Sequence, residues 1–445
     1  MNALPISSRQ RPNAALTGVL AAGLIVGLPV LACRKSIKAA VLNGPQSCQT
    51  FNDTALGAAN AAYNLGVLAI NYQQHGFIRR GLGGTILSAL HQSSLSNCVH
   101  QLIVFHFLSA VWLAIPMALL LRAILTENRR CAFWMAAVLF VSPQLFWGWG
   151  SDLGRTDMFT SGCLAWAVVG LLRRNDVVAV ALVLVGSLAH ESAAIFGLPL
   201  MIALLLVPHV NRSRSRLLRV AVLFAIGCVA ILIAQDIFTT VRPRDVAQAI
   251  LHSQPPSLLR DLAAYMTTTG TRSIITSWCQ SLGRAATPFY LGCTIVIAAM
   301  YAWLLAIQRV NLVKYGLAVF LPLGFISLLA IDYGRWLMFA TVNGWLFAVA
   351  TVGPANRTAS GNLVAWGRLV VLAALFAMKP TTVFAPNRFV ERVAALIWGK
   401  EGTELRSADA CDPKWRTFIA FRGHPSNVSD HRRERNPRWR MSSDV

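Results

Sequence analysis

An all-α fold, a polytopic bundle of membrane-spanning helices, is what this sequence predicts, on three observations. Of 445 residues, 55% are hydrophobic and only 13% charged, about half the charged share of a soluble globular domain. Apolar runs long enough to cross a bilayer recur along the chain, and a crossing needs about twenty such residues. Many of the 40 Lys and Arg fall in short turns between those runs, as expected for loops kept on the cytoplasmic side. A transmembrane barrel would instead show strands of alternating polarity, each about ten residues long. The net charge of +22 would suggest nucleic acid in a soluble chain. Here topology and attraction to anionic lipid explain the loop charge, so no nucleic-acid partner is expected.

Arg9 and Arg11 precede the first run, Ala14 to Leu31, read as an uncleaved first helix with a cytoplasmic N-terminus. Residues 34–100 form an outer segment. Within it, apolar stretches at Leu65 to Ile70 and Thr85 to Leu90 flank a glycine-rich basic turn, Gly76 to Gly84, which suggests broken interfacial helices. Leu102 to Leu121 crosses inward to the basic turn at Arg129 and Arg130, and Cys131 to Trp149 crosses out to an aromatic cluster. Met158 to Leu172 returns to Arg173 and Arg174.

The run from Val177 to Val207 is too long for one crossing and short for two. Its only titratable side chains, His190 and Glu191, sit in the middle. Two short helices meeting at a turn fit it best, with the pair at the outer rim or just below. A basic turn with Arg212, Arg214, Arg216 and Arg219 follows, then a crossing from Val220 to Phe238. Residues 239–287 carry apolar positions at helical spacing and read as two amphipathic outer-face helices. Pro288 to Ile307, Gly316 to Ala330, Leu337 to Val352 and Leu363 to Met378 complete about eleven crossings. The transmembrane domain is therefore expected over 1–378, with a basic C-terminal tail over 379–445.

The nine cysteines contain no Cys-x-x-Cys pair. Cys131, Cys163, Cys228 and Cys293 fall in or beside apolar runs and are expected to pack as small hydrophobes. Cys48, Cys98 and Cys279 lie in outer segments, where a disulfide has no assignable partner. No metal site and no cofactor are expected.

Four polar clusters interrupt the apolar chain: His75 with Arg79 and Arg80; Asp152, Arg155 and Asp157; His190 with Glu191; and Asp332 with Arg335. The loop-charge topology places all four on the outer face. The planar arginines Arg79, Arg80, Arg155 and Arg335 suit bidentate phosphate recognition. Asp152, Asp157, Glu191 and Asp332 offer a general base or hydrogen bonds to sugar hydroxyls, and His190 a proton shuttle. Trp147, Trp149, Tyr333 and Trp336 suit stacking on sugar faces or anchoring at the interface. The competing explanation is local: Asp152 with Arg155, and Asp332 with Arg335, are spaced for ion pairs within one turn.

These motifs, HGFIRRG from His75, SDLGRTD from Ser151, His190-Glu191 and DYGRW from Asp332, resemble bacterial envelope-polysaccharide membrane proteins. That group comprises lipid-linked sugar transferases of the GT-C class and O-antigen or exopolysaccharide polymerases. The resemblance covers Asn71 to Trp336 in layout. It implies an inner-membrane enzyme acting at the outer face on a polyprenyl-phosphate-linked sugar or glycan. Glu191, His190 and Asp152 would then be catalytic, and Arg79, Arg80, Arg155, Arg335, Asp157, Asp332 and His75 would bind phosphate or substrate. A transporter of an anionic solute or lipid and a non-catalytic envelope scaffold are the alternatives.

The topology has a direct check. A cysteine placed at Ser151 should react with an impermeant thiol reagent in intact cells, and one placed at Ser213 should not. The opposite pattern overturns the orientation.

Overall fold

The computed structural model describes residues 71–75, 81–90, 98–127, 154–208, 210, 213–238, 312–329 and 333–351, with isolated positions at 68, 295, 298, 299, 302 and 305. Among the described residues there is no strand. The helices are α1 (Tyr72–His75), α2 (Gly81–Ala89), α3 (Cys98–Glu127), α4 (Asp157–Leu172), α5 (Asp176–Ala189), α6 (Ser192–Leu205), α7 (Arg214–Phe238), α8 (Leu312–Leu329) and α9 (Tyr333–Thr351). The expected runs at 14–31, 131–149 and 363–378, the amphipathic segment 239–287 and the tail lie outside the described residues, as does most of 288–307.

Two described helices are long and apolar enough to span a bilayer, over Ile103–Ala123 and Arg214–Ala234. Four shorter apolar helices accompany them, α4, α5, α6 and part of α8. The described residues therefore show an all-helical apolar bundle, and the count of about eleven crossings goes beyond them. Exposed side chains on α7 follow a helical stripe through Leu218, Val222, Ile226, Val229, Ile233 and Ile237. So large an apolar surface turned outward is the mark of a face that meets lipid or another apolar partner.

Helix α4 is the hub, packing on α3, α5, α6 and α9, while α8 packs on α6 and α9. The division of Val177 to Val207 into two helices is as the sequence suggested. Asn175 caps α5 by accepting from the Val178 N–H at 3.2 Å, and Asp176 in the first turn suits the helix dipole. His190 then turns extended, with φ −160° and ψ 129°, and the chain reverses. Two glycines allow the hairpin to close. A Cβ on Gly186 would meet the Ala193 Cβ at 2.9 Å, and one on Gly197 would meet Val183 Cγ1 at 2.6 Å, so only glycine permits this approach.

Other boundaries differ from the sequence reading. Gly81, Gly83 and Gly84, expected in a turn, lie buried in α2. A Cβ on Gly83 would stand 3.0 Å from Leu68, so close packing, not turn geometry, accounts for the glycine. Helix α7 begins at Arg214 and takes in Arg214, Arg216 and Arg219, expected in a loop. Arg335, expected in an outer turn, lies in the first turn of α9.

Prolines interrupt three helices, at Pro116 in α3, Pro199 in α6 and Pro322 in α8. Pro322 lacks the N–H that would bond the carbonyl of Ala318 one turn earlier. Asn343 of α9 supplies the missing donor: its Nδ2 donates to Ala318 O at 2.9 Å and to Phe196 O at 2.8 Å, in the turn before Pro199. One fully buried amide thus ties α9 to α6 and α8, where water cannot satisfy the carbonyls. The Phe196 and Phe339 rings stack beside it at 5.4 Å.

Replacing Asn343 with Leu should lower stability by about 1–3 kcal/mol, the cost of stranding a buried carbonyl. Thr341→Val should change it by less than about 1 kcal/mol, because Thr341 donates within its own helix, to Leu337 O at 2.8 Å. Thermal unfolding of the purified protein distinguishes the two.

Candidate functional site

Three distant parts of the chain meet at one end of the bundle: the N-terminus of α4, the α5–α6 reversal and the N-terminus of α9. Gly154, with φ 81°, turns the chain into α4, and Asp157 takes the first helical position. Its carboxylate receives the Arg335 guanidinium in a two-point grip. Arg335 Nε donates to Oδ2 at 2.8 Å, and Nη2 donates to Oδ1. Both groups are buried, at 1% exposure for Asp157 and 7% for Arg335. Arg155 Nε stands 3.6 Å from the same Oδ2, and His190 lies close enough to act on the charge as well. The Arg335 Cζ also rests 5.7 Å from the ring centre of Trp336, a cation–π contact.

His190 is 1% exposed. Its Nδ1 accepts from the Ser192 N–H at 3.2 Å, which bonds one of the free amides at the start of α6. A lone pair used this way leaves the hydrogen of the neutral ring on Nε2. The Glu191 carboxylate is 4.0 Å from the same Nδ1. An ion pair there would require a proton on Nδ1, whereas the bond from Ser192 requires a free lone pair on it. The Glu191 side chain is about one-third exposed, at 34%, so it alone of these groups faces out of the protein interior to that extent. The His190 and Trp336 rings are 6.0 Å apart. Ser192 Oγ and Trp336 Nε1 are buried here with no hydrogen-bond partner among the described residues.

Of the residues singled out from sequence, Arg155, Asp157, His190, Glu191 and Arg335 come together. The carboxylate that the arginines address is Asp157. His75 ends α1, and Arg79, Arg80, Asp152 and Asp332 lie outside the described residues. The pairing of Asp157 with Arg335, 178 positions away, was missed; the sequence offered nearer partners for each. A second buried polar tie lies at the opposite end, where Arg216 Nε donates to Asp176 Oδ1 at 2.6 Å. Its signal was in the sequence: Asp176 is the sole acid between Asp157 and Glu191.

Breaking one member of a buried pair strands the other charge. Asp157→Asn should cost about 3–5 kcal/mol, whereas the double change Asp157→Leu with Arg335→Met should restore most of that stability. Unfolding midpoints of the three proteins in detergent check this; equal loss in single and double variants would argue against a desolvated pair.

A family profile described as uncharacterised membrane protein Rv1490 matches residues 48–282, more than half of the chain. The match takes in Arg155, Asp157, His190 and Glu191 and stops short of Arg335. No curated protein and no solved structure matches the chain.

Proposed function

The chain belongs to the membrane-protein family described as uncharacterised membrane protein Rv1490, and on that premise we propose that it is a glycosyl-transferring or polysaccharide-polymerising enzyme. Its substrate would be a polyprenyl-phosphate-linked sugar, met at the outer face of the cytoplasmic membrane. One observation carries the reading: Arg155, Asp157, His190 and Arg335 converge from three segments on one buried polar site. The competing explanation needed only ion pairs between near neighbours in sequence.

The chemistry follows from the placement. Asp157 holds the Arg335 fork by two of its nitrogens, so the guanidinium is oriented before substrate arrives. Arg155 adds a second cation beside the same carboxylate, so more than one guanidinium stands where a phosphate would leave. That suits a phosphate leaving group as its charge develops. Glu191, the most exposed acid of the site, would accept the proton of the attacking hydroxyl. Buried Ser192 Oγ and Trp336 Nε1 offer hydrogen bonds to sugar hydroxyls. Asp152, as a further catalytic carboxylate, and Asp332, Arg79, Arg80 and His75, as substrate-binding groups, belong to the same proposal.

Depth and sidedness support it further. Helices α5 and α6 have 14 residues each, about 21 Å at 1.5 Å per residue, against a hydrocarbon core of about 30 Å. With the α5–α6 base at one interface, His190 would lie below the other, on the side from which a lipid-borne phosphate would approach. Arg173, Arg174, Arg214, Arg216, Arg219 and Lys314 all sit toward the base end. The positive-inside rule favours the cytoplasmic side for that end, which would put the Asp157 site toward the outer face.

Deleting the gene should alter a lipid-linked glycan or surface polysaccharide, and wild-type protein should restore it. Arg155→Lys keeps charge and loses the planar fork, and Glu191→Gln removes the base. Each should fail to complement at unchanged membrane abundance. An unaltered glycan profile on deletion, or full complementation by both variants, overturns the proposal.

A further inference from the structure

The base of the bundle, remote from Asp157 and Arg335, gathers five arginines around one carboxylate. Helix α4 ends there in a left-handed turn: Arg174 N–H donates to Leu171 O at 3.0 Å and Asn175 N–H to Gly170 O at 2.9 Å. Such turns normally carry glycine at the left-handed position. Here the position is Arg174, with φ 60°, the one non-glycine residue of positive φ among the described residues. A side chain at this position strains the backbone, and glycine would not. Strain of this kind persists where surrounding structure imposes it, often at a site with work to do.

The charges around this turn are unequally balanced. Asp176 is 5% exposed and is occupied by Arg216 Nε at 2.6 Å, with Arg219 Nη1 at 4.0 Å. Arg216 spends its other nitrogens on Leu171 O at 2.6 Å and Val210 O at 3.4 Å. It is therefore a structural clamp that pins the start of α7 to the α4–α5 turn. The clamp brings Arg214 and Arg219 to the same end as Arg173 and Arg174, and all four are exposed. Five arginines against one aspartate leave four positive charges uncompensated among the described residues here. Beside them the surface is apolar, with Val177 62%, Val178 43%, Leu218 66% and Val222 46% exposed.

We propose that this base end binds the phosphodiester headgroup of an anionic membrane lipid. Arg174 and Arg219 approach the phosphate, and the acyl chains lie over Val177, Val178, Leu218 and Val222. A soluble anion would satisfy the arginines alone. The adjoining exposed valines and leucine favour a ligand with a hydrocarbon part. The site is independent of the glycosyl-transfer proposal, since it shares no residue with the other end.

Purified full-length protein in phosphatidylcholine nanodiscs, titrated with phosphatidylglycerol, tests this. The relative binding constant for phosphatidylglycerol should fall about thirtyfold in Arg174→Gly with Arg219→Gln, the loss expected for two surface arginines. The double lysine variant, Arg174→Lys with Arg219→Lys, should retain most of it. In phosphatidylcholine alone, Arg174→Gly should unfold no earlier than wild type, because glycine suits the turn, so weakened lipid binding there does not reflect a damaged fold. Unchanged preference for phosphatidylglycerol in the double variant overturns the proposal. So does inorganic phosphate that competes as well as the lipid, which would mark a soluble-anion site.

Discussion

The buried grip of Arg335 on Asp157 is the contact on which the upper part of the bundle depends. It joins the first turns of α4 and α9 at a place where neither charge has water to fall back on. Desolvating two ions costs several kcal/mol each, and only good geometry recovers it. The geometry here is the planar two-point fork that arginine alone provides. Such a pair adds little net stability over apolar packing, but it specifies one arrangement strongly, because any slip between α4 and α9 leaves a bare charge. Arg155, His190 and Trp336 inherit their positions from it.

Apolar contacts in lipid do not by themselves distinguish one helix pairing from another, since the surrounding medium is equally apolar. Polar ties and close packing do that instead, and this bundle uses both at separate levels. At one end stands the Asp157–Arg335 pair, at the other the Asp176–Arg216 clamp, and between them Asn343. Glycines at 186 and 197 bring α5 and α6 close enough for backbone-to-side-chain packing. The interruption at Pro322 is tolerable because Asn343 meets the carbonyl that this proline frees.

The two ends divide the charge unequally. At the upper end a buried aspartate meets two arginines beside a buried histidine; at the base exposed arginines crowd one buried aspartate. Both suit anions, but in different settings. The upper one is enclosed, which magnifies electrostatic interaction. The lower one is open to solvent and screened by salt, where headgroup attraction rather than catalysis is the fitting use.

Composition and periodicity alone determined that the chain is apolar and helical, and where many of its helices lie. The reason is local: an apolar run in a bilayer must satisfy its backbone within itself, so helix follows from hydropathy. The break at His190 and Glu191 was legible for the same reason, since polar groups in a long apolar run mark a reversal or a cavity. Sequence also named Arg155, Asp157, His190, Glu191 and Arg335 as chemistry-bearing residues, because ions are costly in such a chain. Which of them meet was decided only by tertiary structure. Arg335 stands next to Asp332 in sequence and Arg155 next to Asp152, so local spacing could not foretell that Arg335 reaches Asp157. Asn343 drew no notice, as an amide amid apolar residues shows its purpose only when Pro322 leaves a carbonyl open on a neighbouring helix. The strained turn at Arg174 was equally hidden, because a backbone angle is imposed by the packing around it and not by the residue that bears it.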